Sequence, residues 1–240
     1  MHGLACAKSG FDDVFRADSL DGFSICTFDF PGHGDSPPLD ADSYSLDFYA
    51  DVVCALTDRL SPDSLLLVGH SMGGAVGLIA TQSLKLPTGF VSIEGNLLAG
   101  DCGLVSRRIA AQSLDEFIAR GHTDFLAALR GSARRDSRAW AGWCGMAAPA
   151  AIHGSARSLV KWSESGKLLQ LYRAIGHRTY CYGTEGDRIS HLLPCLDRAD
   201  LHSIAGAGHF PMVDNPTELY DVISTAAQAT ASRRLTTATQ

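Results

Sequence analysis

The apolar run Leu65-Leu66-Leu67-Val68 passes with no loop into Gly69-His70-Ser71-Met72-Gly73, and the small residues Gly74-Ala75-Val76-Gly77 follow at once. A run of this length bounded by glycine reads as a buried strand. The glycines read as a bend too tight for side chains, one that projects the Ser71 hydroxyl beyond the end of the strand. A helix is expected to open at Ser71 and run to about Leu84. No lysine follows the glycines, so the segment does not match a phosphate-binding loop. A strand that turns sharply into a helix is half of a crossover unit, and such units build parallel sheets.

The rest of the chain supplies the neighbours that such a sheet needs. Strands are expected at residues 23–28, 64–68, 89–93, 179–182 and 201–204. The first of these ends in the turn-rich Asp29-Phe30-Pro31-Gly32-His33-Gly34-Asp35-Ser36. Residues 44–60 read as a helix, with Leu46, Tyr49, Val53, Leu56 and Leu60 on one face, Ser43 as its cap and Pro62 beyond its end. A closing helix is expected over residues 216–229, with Pro216 in its first turn and a fraying Ala/Thr-rich tail after it. Between Gly95 and about Ala174 strand-like runs give way to successive helical segments, such as residues 113–120 and 123–129. The expected organisation is therefore a core of residues 1–94 and 175–240 interrupted by a helical cap insert at 95–174.

Composition bounds what this fold does. With 45% apolar and 19% charged residues over 240 positions, the chain can bury a substantial core. Its net charge of −6, and basic groupings no larger than Arg107-Arg108, Arg134-Arg135 and Arg233-Arg234, argue against nucleic acid or an anionic membrane as partner. No apolar stretch approaches the ~20 residues of a membrane helix. The seven cysteines are odd in number and lack a CxxC pair, and several lie in apolar runs. They read as reduced core residues of a cytoplasmic protein.

A serine hydroxyl needs a base within hydrogen-bond reach to act as a nucleophile. Of nine histidines, His209 is singled out by its setting, Gly206-Ala207-Gly208-His209-Phe210-Pro211, just beyond the last expected strand. A glycine-rich loop there can carry the imidazole back over the carboxyl ends of the strands, where catalytic groups of parallel sheets gather. His70 reads as a packing residue and His33 as part of a tight turn. His122, His153, His177, His191 and His202 read as surface or cap residues. The base in turn needs an acid to hold its tautomer. Asp187, in the loop after residues 179–182, is the first candidate, with Glu185 and Glu94 as alternatives. Two N–H donors are needed for the oxyanion, and Met72 and Leu4 are the expected ones, Leu4 through the early His2-Gly3-Leu4 loop. No histidine pair has zinc-ligand spacing, and no metal or other cofactor is expected.

His2-Gly3, the Asp29–Ser36 turn, Gly69-His70-Ser71-Met72-Gly73-Gly74, the Asp187 loop and Gly206–Pro211 occur in an order and spacing that resemble the α/β-hydrolase superfamily, in particular its capped, esterase-like branch. The resemblance implies a mostly parallel sheet flanked by helices, a helical cap inserted after the strand ending at Glu94, and a two-step acyl-enzyme mechanism. Ser71, where the epoxide-hydrolase and dehalogenase branches carry Asp, sets the chain apart from those. The pattern departs from the family in two places. The acid loop is one residue longer than the common spacing. In the family three strands precede the His-Gly motif, the third lying centrally between the strand ending near Asp29 and the one ending at Val68. A gap is expected there, with unpaired backbone on both sides, as though the start were truncated or misassigned.

The leading functional expectation is hydrolysis of a small or medium carboxylic ester, with Trp140, Trp143, Met146 and Trp162 lining the acyl site. Tyr172 is a further candidate. A C–C bond hydrolase, thioesterase, amidase or acyltransferase would use the same Ser71–Asp187–His209 triad, and a non-catalytic ligand-binding relative would keep the fold without turnover.

Overall fold

A computed structural model describes residues 1–86, 88–186, 189–197 and 200–237, with backbone alone at 104 and 233–237. Four strands form one sheet in the order β1 (Leu65–His70), β2 (Thr88–Ile93), β3 (Arg178–Gly183) and β4 (Leu201–Ile204). All three pairings are parallel, with Leu65 opposite Thr88, Phe90 opposite Arg178, and Tyr180 opposite Leu201. Side chains alternate between two cores, as the two-residue period of a strand requires. Leu67, Phe90 and Tyr180 face a core shared with α1 (Leu46–Leu60), α2 (Met72–Ala80) and the helices between β2 and β3. Leu66, Val68, Val91, Ile93 and Cys181 face the opposite core, which the closing helix covers.

The Ser45 hydroxyl, 3.1 Å from the Phe48 N–H, caps α1, not Ser43. Tyr44 is held outside the helix because its phenol exchanges two hydrogen bonds with the Leu39 backbone. Leu46, Tyr49, Ala50, Val53 and Thr57 then form the buried stripe. Between β2 and β3 the described chain is helical: α3 (Gly103–Ala110), α4 (Leu114–Glu116), a π turn over Phe117–Gly121, α5 (His122–Arg130), α6 (Arg135–Cys144), α7 (Pro149–Glu164) and α8 (Lys167–Ala174). After β4 come the short α9 (Pro211–Asp214) and α10 (Pro216–Thr237).

The structure corrects two further expectations. Residues 23–28 belong to no strand and pair with none among the described residues. A strand exists only through a ladder partner, and none reaches this segment. Beside β1 lies Met1, whose amino group donates to Val68 O (2.8 Å) and whose carbonyl accepts from His70 N–H (3.0 Å). Phe23 and Ile25 still pack against the core beneath α10 while Ser24 and Cys26 are exposed, so the segment keeps a strand's alternation without its ladder. The closing helix continues past Ala229 to Thr237. Its hydroxyls turn back on their own helix, Thr225 to Asp221 O, Thr230 to Ala226 O and Ser232 to Gln228 O, which removes the polar cost of a Thr-rich helix. No helix among the described residues is long and apolar enough to cross a membrane.

The placement of the α1 cap gives a direct test. Ser45→Ala should lower the unfolding free energy by about 1 kcal/mol in urea titration, whereas Ser43→Ala should leave it unchanged.

Candidate active site

β1, β2 and β4 each deliver one candidate residue to the same edge of the sheet. β1 ends at His70, and Ser71 follows with φ 51° and ψ −119°, a conformation that L-residues avoid. Strain of this kind costs roughly 1–3 kcal/mol and persists only where the surroundings impose it. Here Ser71 N–H donates to Ile93 O (2.9 Å) on one side, while its carbonyl starts α2 by accepting from Gly74 N–H. A Cβ on Gly73 would lie 2.5 Å from His2 O and 2.6 Å from Met1 O, so a bare backbone is needed for α2 to begin this close to the N-terminal loop. The Ser71 hydroxyl is partly exposed and has no hydrogen bond among the described residues.

His209 arrives on the loop after β4, which turns at Gly206 (φ 64°). The loop is held by Glu185 N–H to Ala207 O (2.9 Å) and by Gly208 N–H to the Asp214 carboxylate (2.9 Å). A third tie comes from the neighbour of the nucleophile: His70 Nε2 lies 2.8 Å from His209 O. A carbonyl only accepts, so His70 Nε2 carries the proton. His70 is fully enclosed, and burial holds its pKa well below the usual 6.5, which keeps the ring neutral.

Among the described residues, the carboxylate facing His209 Nδ1 is that of Glu94, with Oε2 at 3.3 Å. Glu94 is 7% exposed and its other oxygen accepts from Gly183 N–H at 2.9 Å. It stands one residue past β2 at φ 49°, with its own N–H bonded to Cys181 O. A carboxylate at Nδ1 requires the proton there and leaves Nε2 as the basic nitrogen. Asp187, the first candidate for this acid, lies outside the described residues. Glu185, the other candidate, is exposed and pairs with Arg134 at 3.5 Å.

The N-terminal loop closes the site from the other side. A Cβ on Gly3 would stand 3.2 Å from the Ser71 Cβ. His2 Nε2 accepts from Phe30 N–H (3.0 Å), so its Nδ1 carries the hydrogen donated to Gly3 O (2.9 Å). Leu4 and Met72 are 4% and 0% exposed, yet among the described residues neither backbone N–H has an acceptor. Buried donors without partners are rare in native proteins and mark places where another group is meant to sit. Ala5, next along, has φ 53°.

The four candidate acyl-site residues are spread over the insert. Trp140 on α6 lies closest to this machinery: its indole N–H donates to Leu4 O (3.0 Å) and its ring packs on Phe125 and Phe210. Trp143 packs on Phe210 and over Gly10, and Met146 is 48% exposed. Trp162 on α7 faces α1, donating to the Asp47 carboxylate at 2.9 Å. Tyr172 is buried against Phe90 and Tyr180 beneath the sheet. The roles of His70 as anchor of the His209 loop and of Trp140 as partner of Leu4 have no local signature, since they join positions 139 and 136 residues apart.

A sequence model of the Alpha/beta hydrolase family matches residues 1–222, and the chain belongs to that family. A protein of Mycoplasma genitalium named as an esterase/lipase is 29% identical over 129 residues, which cover 52% of this chain and 47% of the relative. The chain thus spans about half the length of that relative. Among solved structures, a carboxylesterase of the thaumarchaeon Nitrososphaera gargenis superposes with TM-score 0.75 at 17% identity, over 97% of this chain and 90% of its own. MenH from S. aureus superposes with TM-score 0.76 at 15% identity, over 96% and 92%. Likeness at these identities is likeness of fold.

The buried histidines make stability depend on pH. Burial depresses the pKa of His2 and His70 well below 6.5 and that of His33 to about 4. As pH falls below 6.5 the unfolded chain takes up these protons first, so stability is full above that pH and declines below it. Each histidine contributes up to about 1.4 kcal/mol per pH unit until its folded pKa is reached. Thermal unfolding followed by circular dichroism should show Tm falling between pH 6.5 and pH 4, with a shallower slope in His33→Phe.

Proposed function

We propose that the chain hydrolyses carboxylic esters through an acyl-enzyme on Ser71. The observation that carries this reading is that, among the described residues, the backbone N–H groups of the buried residues Leu4 and Met72 have no acceptor, Met72 directly following a serine held at positive φ and Leu4 directly following Gly3, where a Cβ would stand 3.2 Å from the Ser71 Cβ. Two such donors suit an oxygen that becomes negative during reaction. In the proposed first step Ser71 Oγ attacks the ester carbonyl while His209 Nε2 takes the hydroxyl proton. The carbonyl oxygen gathers charge between the two N–H groups. The tetrahedral intermediate expels the alcohol, which receives the proton from His209. Water then enters, gives its proton to His209 and attacks the acyl carbon, and collapse returns the proton to Ser71 with release of the carboxylic acid.

Glu94 is proposed as the acid of this triad in place of Asp187. Its carboxylate holds His209 Nδ1–H and stabilises the imidazolium that forms in each step, while Gly183 N–H fixes the carboxylate. The helices between residues 95 and 174 are proposed to cap the site, since α6 reaches both the Leu4 loop and the Phe210 side of the His209 loop. The names of the Mycoplasma relative and of the archaeal carboxylesterase agree with an ester as substrate. Thioester, amide or C–C substrates call on the same groups, and a substrate panel ranks them.

The test is incubation with a fluorophosphonate followed by intact-mass spectrometry, alongside turnover of short p-nitrophenyl esters. A single adduct, lost in Ser71→Ala together with turnover, is expected; a folded chain that neither labels nor turns over contradicts the proposal. For the acid, Glu94→Gln should reduce kcat by ~10²–10⁴ with little change in KM, and Asp187→Asn should stay within a few-fold of the parent. The reverse pattern assigns the acid to Asp187.

A further inference from the structure

The geometry points to Trp140 as a positioning residue that holds the Leu4 N–H in place for the oxyanion, a role that rests on the ester-hydrolysis reading above. The Leu4 N–H belongs to the Gly3–Leu4 peptide, and its direction depends on how both peptides flanking Leu4 are held. The peptide before Leu4 is fixed at its carbonyl, since Gly3 O accepts from His2 Nδ1–H (2.9 Å) and from Cys6 N–H (3.2 Å). The peptide after it is held at Leu4 O by the Trp140 indole N–H at 3.0 Å, with the Cys6 thiol a second, weaker donor at 3.3 Å. The loop has a reason to move without these ties. Ala5 sits at φ 53°, a left-handed conformation that a residue bearing a Cβ leaves unless its neighbours prevent it.

Trp140 itself is well anchored. Its ring meets Phe125 edge-on at 5.3 Å between centroids and Phe210 at 5.4 Å. Phe210 follows the catalytic base directly, so one side chain of α6 bears on both loops that must meet over Ser71. The indole is a single-donor group on a rigid ring, able to fix a carbonyl at a set distance in a way that a flexible polar side chain is not. Trp140 thereby makes the oxyanion pocket depend on the seating of the insert, although it lies on the far side of Leu4 from the reacting oxygen.

The experiment begins with the parent chain labelled at Ser71 by a fluorophosphonate, which places a phosphonyl oxygen where the oxyanion forms. In ¹H–¹⁵N spectra the Trp140 indole resonance should shift on labelling, while that of Trp162, bonded to Asp47, should not. An unmoved Trp140 resonance in a fully labelled sample overturns the inference, whatever the behaviour of the variants. Trp140→Phe keeps the ring and removes the donor; kcat for p-nitrophenyl esters and the phosphonylation rate should each fall ~10–100-fold, with KM within about threefold, less than the ~10²–10³-fold of removing an oxyanion donor outright because the Leu4 N–H is displaced and not lost. Phe125→Leu loosens the packing around Trp140 but leaves the N–H, and should lower Tm with kcat within about twofold, since a purely structural role would affect both variants alike. A Trp140→Phe enzyme with unchanged kcat, or one whose loss lies wholly in KM, also overturns the assignment. A parent that fails to label at all instead defeats the ester-hydrolysis reading itself.

Discussion

Two backbone hydrogen bonds just past the ends of the strands, Ser71 N–H to Ile93 O and Glu94 N–H to Cys181 O, hold the site together. They extend the parallel ladder by one residue on β1 and one on β2, so that the first residue after each strand is still part of the sheet. Parallel strands bring all their carboxyl ends to one edge, and this extension fixes the spacing of what stands there. It also lets Ser71 and Glu94 occupy positive φ (51° and 49°), because each is tied to a strand on one side and to a helix or loop on the other. The local strain is borne by a cooperative ladder, which no single-residue relaxation can undo.

Around that edge several buried polar groups find partners, while among the described residues His33 Nε2 and Ser92 Oγ are buried with none. His2 is satisfied on both ring nitrogens, His70 reaches His209 O, and Glu94 uses one oxygen on Gly183 and the other on His209. Removing water from these groups is costly unless each finds a partner. Among the described residues the N–H groups of the buried Leu4 and Met72 have no acceptor, and the hydroxyl of the partly exposed Ser71 has no partner.

The helices between β2 and β3 are bound to the rest of the chain by specific polar contacts as well as by apolar burial. Ala148 N–H donates to Gly32 O, Ser158 accepts from Leu46 N–H, and Ser155 donates to the Tyr49 hydroxyl, which in turn donates to Pro31 O. Each joins α7 or its approach to the segment between residues 31 and 49. With Trp140 on Leu4, the helices inserted between β2 and β3 hold the N-terminal loops that complete the sheet edge. Those loops have few backbone partners of their own, so their geometry comes from the far side of the chain.

Much of this was legible in the residues because it depends on short-range rules. Glycine spacing around Ser71 announced the strand–turn–helix, short apolar runs located β1 to β4, and the glycines around His209 announced a loop at a strand end. The Asp29–Ser36 turn was equally plain. Expectations that depend on a distant partner are the ones to which the structure adds or which it moves. Residues 23–28 have a strand's pattern, but a ladder needs a neighbour that pattern does not supply. Ser43 and Ser45 are both good caps, and only the Tyr44–Leu39 bonds decide between them. Glu94, a lesser candidate by its position at a strand end, faces His209 because β2 lies beside β3 in the sheet, an order that no local signal encodes. The pairing of Trp140 with Leu4 across 136 residues belongs to the same class. The sequence by itself determined the local chemistry, since backbone conformation and apolar periodicity are properties of neighbouring residues. That Glu94 stands beside His209 and that the Trp140 indole bonds Leu4 O come from the tertiary structure alone, because those contacts exist only after distant segments have packed.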